Sequence, residues 1–313
     1  MNICCERGKG HIVFYARRYG LANRLRALVG YQAVCRLLDI PFSLCWLRDA
    51  AVDAEFTDLF EPETINMVSK HELKYLAARD NVLVCSTPDW FHVLWTRHVP
   101  TVEWGRFLAC VKECIAELTP VHSVLKKVED FVRLSGLDDA IGVHIRHTDN
   151  LKWYNAWSRT LQDFDISCVS SLSGFISELD RQVVTRSVFV ATDNREIEAA
   201  LKARYGAALT IYPKVYSDIV DNDADATPGD TYRDPKLQTT IEDALIEMLL
   251  LGRCRSVLGT YYSSFSEFSA IWGQTEYWEI RGGSTCRDSQ IAETVKELRT
   301  LTCPLRPARS SRP

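Results

Sequence analysis

Three short apolar runs constrain this chain more than any other feature. Residues 140–146, 187–191 and 255–259 are each of strand length, rich in Val, Ile and Phe, and end abruptly in polar residues. Helix-length segments at 195–205 and 240–251 separate them. Strands that alternate with helices are covered on both faces, so the predicted class is α/β with parallel sheets. The N-terminal part repeats this grammar. A strand at 11–15 leads through the polar turn Arg17-Arg18-Tyr19-Gly20 into a helix ending near Leu38. Leu25, Leu28, Val29, Ala33 and Leu37 share one face of that helix, Asn23 is its expected N-cap, and Pro41 precedes a second strand at 42–46. A further strand is predicted at 82–85 and helices at 107–118 and 121–134.

The turn-rich break Gly136-Leu137-Asp138-Asp139 precedes the strongest strand, and 313 residues suit two domains of roughly 150 each. The expected limits are 1–135 and 136–285, with a C-terminal helix and tail over 286–313. Hydrophobic residues make up 46% and charged residues 25%, enough to build a core without staples. The net charge of −4 gives no basic excess for a nucleic-acid track. No apolar run approaches a membrane span and no signal-like segment opens the chain, so a cytoplasmic protein is expected. The 11 cysteines are odd in number, scattered and without a Cys-x-x-Cys pair, and are read as reduced thiols.

In an open parallel sheet, ligands bind outside the carboxyl ends of the strands. Behind the first strand of the second half comes His144-Ile145-Arg146-His147-Thr148-Asp149, behind the second Thr192-Asp193-Asn194, and behind the third Thr260-Tyr261-Tyr262-Ser263-Ser264-Phe265. Ser264-Phe265-Ser266-Glu267 has the spacing of a capping box opening a helix. Unpaired N–H groups at such a helix start attract anions, and Ser263, Ser264 and the planar fork of Arg146 add donors suited to a diphosphate. Asp193 and Glu247 could accept the paired donors of a base edge or a ribose. Glu247 interrupts an apolar helix, so it is either on the solvent face or paired.

These segments resemble a known family. Gly142-Val143-His144-Ile145-Arg146-His147-Thr148-Asp149 resembles the first peptide motif of the superfamily of α1,6-fucosyltransferases, nodulation fucosyltransferases and protein O-fucosyltransferases. Residues 188–194 and 258–266 are similar to its second and third motifs, and Gly20-Leu21-Ala22-Asn23-Arg24 is similar to its N-terminal segment, with Ala22 replacing a Gly. The resemblance implies a GT-B fold, in which two Rossmann-like domains with parallel sheets face a central crevice. It also implies inverting, metal-independent transfer of fucose from GDP-fucose to a hydroxyl of a carbohydrate or glycoconjugate acceptor, with no cofactor. By its motifs, Arg146 would hold the β-phosphate, His144 would contact the nucleotide, and Ser263, Ser264 and the N–H of Phe265 would hold the diphosphate. Asp193 and Glu247 fall near the guanosine, while Asn23 and Arg24 would face the crevice from the first, acceptor-side domain. Where some relatives carry further basic residues and a Glu after the motif arginine, this chain has His147 and 150–154. Asp149, beside Arg146, is the first candidate for the general base.

Two rival readings remain. Asp221, Asp223 and Asp225 have the spacing of a metal-binding Asp-x-Asp pair, which would suit a metal-dependent glycosyltransferase using another nucleotide sugar, although Pro228 and Gly229 mark a polar loop there. A non-catalytic nucleotide-sugar-binding protein is the second. Trp153, Tyr154 and Trp157 form either a sugar-stacking wall or an aromatic core cluster.

Overall fold

The computed structural model describes residues 7–146, 166–183, 186–216, 239–287 and 289–301. The first unit is built on β1 (His11–Ala16), β2 (Phe42–Trp46) and β3 (Val82–Cys85), a parallel sheet in the order β2-β1-β3. Helix α1 (Leu21–Leu38) connects β1 to β2. It starts two residues before the expected Asn23 cap, because Gly20 already takes the extended conformation of an N-cap and Asn23 lies inside the first turn. Fourteen of its 18 residues are buried, so it is enclosed on all sides rather than on one stripe. The helices α2 (Phe56–Leu59), α3 (Lys70–Ala77), α4 (Phe91–His98), α5 (Trp104–Glu117) and α6 (His122–Ser135) complete this part. Ser69 and Glu72 form a reciprocal capping box on α3.

The second unit has six strands. In chain order it runs β4 (Ile141–Ile145), α7 (Leu172–Gln182), β5 (Val188–Thr192), α8 (Arg195–Tyr205), β6 (Leu209–Thr210), α9 (Ile241–Arg253), β7 (Ser256–Thr260), α10 (Ser264–Gly273), β8 (Glu276–Arg281), β9 (Ser284–Cys286) and α11 (Gln290–Thr300). The strand order is β6-β5-β4-β7-β8-β9, parallel except for β9. The chain winds outward from β4 in one direction through β5 and β6, then returns to the other side of β4 with β7 and β8. Such a reversal opens a crevice at the carboxyl ends of the two strands where it occurs, here β4 and β7. The expected class, two Rossmann-like units with parallel sheets, is the one formed.

Helix pairs join the units. Helix α1 packs against α10, and α11 returns to α5. The Lys112 ammonium on α5 donates to the carbonyls of Leu298 at 2.9 Å and Leu301 at 2.8 Å, which cap the end of α11. Among the described residues, no helix is long and apolar enough to cross a membrane. The eight described cysteines are free thiols, six of them buried, and burial pushes the Cys254 thiol up to about 12.

Helices α9 and α10 cross where Gly252 meets Gly273. A Cβ at Gly273 would run into the Gly252 backbone, which cannot rotate away as a side chain could. Gly273→Ala is therefore expected to destabilise the protein by about 1–3 kcal/mol, seen as a lower urea midpoint with an unchanged slope.

Candidate functional site

The paired register of β4 and β7 ends at Val143 and Leu258. Beyond it one side chain spans the two strands. The Thr260 hydroxyl donates to the His144 carbonyl at 2.9 Å and accepts from the Arg146 backbone N–H at 3.0 Å. The Thr260 carbonyl in turn accepts from the Ser263 N–H at 3.1 Å. Arg146, at the exit of β4, and Ser263, at the start of α10, are thus held through one residue at the reversal point of the sheet.

The N-cap of α10 is Ser263, not Ser264. The expected box between Ser264 and Glu267 does not form: the helix begins one residue earlier, and the Glu267 carboxylate turns toward Arg26 of α1 instead. The preceding Tyr262 has a φ of +59°, a left-handed conformation uncommon for a side chain of this size. The Ser263 hydroxyl caps nothing. It is buried and has no hydrogen-bond partner among the described residues. Buried polar groups are nearly always paired, so an orphaned hydroxyl at a helix start marks a place for a ligand atom. The His144 ring stacks on Phe265 with centroids 4.7 Å apart and planes at 26°. Burial, helped by the nearby Arg146 and Lys214 cations, pushes the imidazole down to about 3, so it is neutral. Its Nδ1 also lacks a partner among the described residues. His144, Arg146, Ser263, Ser264 and Phe265 accordingly come together, as the sequence motifs place them.

Asp193 lies at the end of β5, and the following Asn194 caps α8 by accepting from the Ile197 N–H at 2.9 Å. Of the two positions left open for Glu247, the buried and paired one is found. Its Oε1 accepts from the Lys214 ammonium, whose side chain is fully buried. Lys214 also lies 3.7 Å from Glu198. The Tyr216 hydroxyl donates to Glu198 at 2.5 Å and to the Thr192 carbonyl at 3.2 Å. Lys214 and Tyr216 follow β6, a fourth strand end that the sequence reading missed. With two residues, β6 is too short to register as a strand in the hydrophobic pattern.

Arg24 and Arg26 of α1 exchange roles. Arg24, expected to face the crevice, is fully buried inside the first unit. Its guanidinium donates to the carbonyls of Tyr19 at 2.7 Å and Leu47 at 2.5 Å and to the Asp49 carboxylate at 2.5 Å, and it lies over the Trp46 ring. It braces the loop behind β1. Arg26, two residues on, reaches the second unit: it stacks 3.6 Å above Trp90, donates to Asn23 Oδ1 at 3.0 Å and to the Pro88 carbonyl at 2.8 Å, and stands 3.8 Å from Glu267. Asn23 thus acts through Arg26. Burial pulls the Arg26 guanidinium down to about 10 against the pull of Glu267, and pushes the Glu267 carboxyl up to about 8 against that of Arg26. No periodicity distinguishes residue 24 from residue 26 when the whole helix is enclosed.

Asp149, the candidate base, lies outside the described residues, as do Trp153, Tyr154, Trp157 and the run Asp221, Asp223 and Asp225. Among the described residues no three His, Cys, Asp or Glu side chains are grouped to hold a metal ion.

No protein-family model and no curated protein sequence matches the chain. Solved structures do. A NodZ α-1,6-fucosyltransferase soaked with GDP-fucose aligns with a TM-score of 0.54 at 15% identity, over 90% of this chain and 100% of that one. A selenomethionine fucosyltransferase NodZ from Bradyrhizobium gives 0.53 at 15% identity, over 87% and 94%. POFUT1 in complex with GDP gives 0.51 at 14% identity, over 87% and 99%. The chain therefore has the GT-B type of fold, and the likeness spans both units. At this identity it establishes the fold and leaves the chemistry to the site.

Two outcomes are expected. Arg24→Ala removes the cation paired with Asp49, which keeps its backbone donors, and the donor to the Tyr19 and Leu47 carbonyls, and is expected to cost about 3–5 kcal/mol of stability in chemical denaturation. A carboxyl near 8 in the folded state and near 4.3 in the unfolded state keeps a proton that the unfolded chain releases between those values. Stability from this group therefore falls as pH rises from about 4.5 to 8. Glu267→Gln cannot titrate and is expected to gain on the wild type over that window, measured as urea midpoints at pH 5 and pH 8.

Proposed function

We propose that the protein is a glycosyltransferase that moves fucose from GDP-fucose to a hydroxyl of a carbohydrate or glycoconjugate acceptor, with inversion and without a metal. The observation that carries this reading is the cradle around Thr260. It places Arg146 beside a helix start whose N-cap residue, Ser263, has a buried hydroxyl without a partner among the described residues, at the reversal point of the second sheet. The fold shared with fucosyltransferases solved with GDP or GDP-fucose supports the choice of donor.

In this reading residues 136–285 hold the nucleotide sugar and residues 1–135 form the acceptor side. The diphosphate rests on the first N–H groups of α10, including that of Phe265, with the hydroxyls of Ser263 and Ser264. Arg146 binds the β-phosphate and takes up the charge that grows there as the sugar leaves. Neutral His144, stacked on Phe265, adds a hydrogen bond without repelling the Arg146 guanidinium. Asp193 and Glu247 face the nucleoside. The acceptor oxygen forms a bond to the anomeric carbon as the carbon–oxygen bond to the β-phosphate breaks. The electron pair of that bond leaves with GDP, and the acceptor proton passes to a base, for which Asp149 is the proposed residue. Fixed donors aimed at developing charge are the main catalytic term in such a site, and losing one reduces the rate by about 10²–10³.

The test is thermal unfolding with GDP, UDP and their sugars, followed by a transfer assay. A ligand at about 100 times its Kd adds roughly 2.7 kcal/mol of stability, so GDP and GDP-fucose are expected to raise the Tm clearly and UDP to leave it unchanged. Arg146→Ala should fold, lose the GDP shift and lose transfer, and excess chelator should not reduce activity. A shift with UDP alone would exclude the donor, and a fully active Arg146→Ala would exclude the diphosphate cradle.

A further inference from the structure

The least expected constellation in the second unit lies off the strand end of β6. Lys214 is a cation with a fully buried side chain, and its ammonium is shared between two buried carboxylates, Glu247 Oε1 at bonding distance and Glu198 Oε2 at 3.7 Å. Long cationic side chains normally keep their ends in water, so a fully covered ammonium needs a specific reason. Its two partners are treated differently. Glu198 is satisfied: it accepts from Lys202 on its own helix at 2.6 Å and from the Tyr216 hydroxyl. Glu247 is not. Its Oε1 accepts from Lys214, whereas its Oε2 takes part in no hydrogen bond among the described residues. An oriented carboxylate with one oxygen committed and one open is what a base edge with neighbouring N–H donors requires.

We propose that Lys214 is a positioning residue for base recognition: it fixes Glu247 as a buried, oriented carboxylate whose second oxygen accepts from the N–H groups of a guanine edge. The inference rests on the proposed GDP-dependent function and adds the residue that makes its base contact possible. Lys214 itself touches no ligand. It acts by offsetting the desolvation of Glu247: burial pushes this carboxyl up, and with Lys214 in place it is held to about 7. The groups that act on this carboxyl are Lys214 from the segment after β6, Glu198 from α8 and Asp243 from α9, while Tyr212 and Tyr216 lie within its field and His144 faces Lys214 from β4. Glu198 and Asp243 push the carboxyl up; His144 is neutral; Lys214 alone among the groups acting on it pulls it down. Without Lys214 the carboxyl would hold its proton through neutral pH and lose acceptor strength.

The experiment is calorimetric titration of the full chain with GDP from pH 6 to 8.5, for the wild type, Lys214→Met and Lys214→Arg. The quantity read is the ratio of variant to wild-type affinity, in which the nucleotide's own titrations cancel. Lys214→Met is expected to bind GDP about tenfold more weakly at pH 7 for each pH unit by which the Glu247 titration moves up, with the gap closing toward pH 8.5. Lys214→Arg is expected to restore the wild-type profile in large part. A Lys214→Met protein that matches the wild type at every pH, or is weakened by one constant factor at every pH, overturns the inference. The latter would make Lys214 a packing anchor only. Should Lys214→Met fold poorly, Glu247→Gln is compared with Lys214→Met/Glu247→Gln, which removes both charges. Equal GDP affinities are expected, and a further loss in the double variant overturns the inference. A wild type that binds no GDP overturns the proposed function itself, and the two failures are told apart on the wild-type curve alone.

Discussion

The second unit depends on a single hydroxyl placed where its two central strands stop pairing. Past Val143 and Leu258 the β4–β7 ladder ends, and Thr260 takes over, bonding backward to the His144 carbonyl and across to the Arg146 N–H. Backbone groups released from a ladder inside a protein must find other partners. Here that requirement fixes the site. The same residue whose hydroxyl satisfies β4 accepts at its carbonyl from Ser263, so the exit of Arg146 and the start of α10 are set by one short hydrogen-bonded link. Among the described residues, the Ser263 hydroxyl of that link is left without a partner.

Three buried charge constellations divide the remaining work. Arg24 with Asp49 is internal to the first unit and holds the loop behind β1. Arg26 with Glu267 spans the units, over the face of Trp90, and shares one proton-sensitive contact between α1 and α10. Lys214 with Glu247 is internal to the second unit, between the end of β6 and α9. Buried ion pairs are weak sources of stability, since desolvation offsets most of the attraction. Their value here is geometric. Each holds a strand-end loop or a helix against another element of the fold.

The legible part of this protein is the part written in local patterns. β4, β5 and β7 are short, apolar and closed by polar residues, and each was predicted within a residue or two. Helix α8 was placed at its observed limits, since Asn194 caps it and Gly206 ends it. The strand-end rule points to the same place where the fold links His144, Arg146 and Ser263 through Thr260 and stacks His144 on Phe265. The failures have a common origin. Strand β6 has two residues and no period. The cap of α10 moved by one position because Glu267 had a partner in another unit. Arg24 and Arg26 could not be told apart because α1 is enclosed all round, and an enclosed helix has no polar face to read.

Sequence alone determined the α/β class, the alternation of strands and helices, and the residues that stand at each strand end, because these follow from periodicity and capping within a few positions of the chain. The tertiary structure alone decided which charges meet. Arg26 with Glu267 and Lys214 with Glu247 are 241 and 33 residues apart, and Thr260 reaches Arg146 across 114. The physical reason is that burial makes a charge or hydroxyl depend on whatever group the fold brings to it. No local pattern specifies that group.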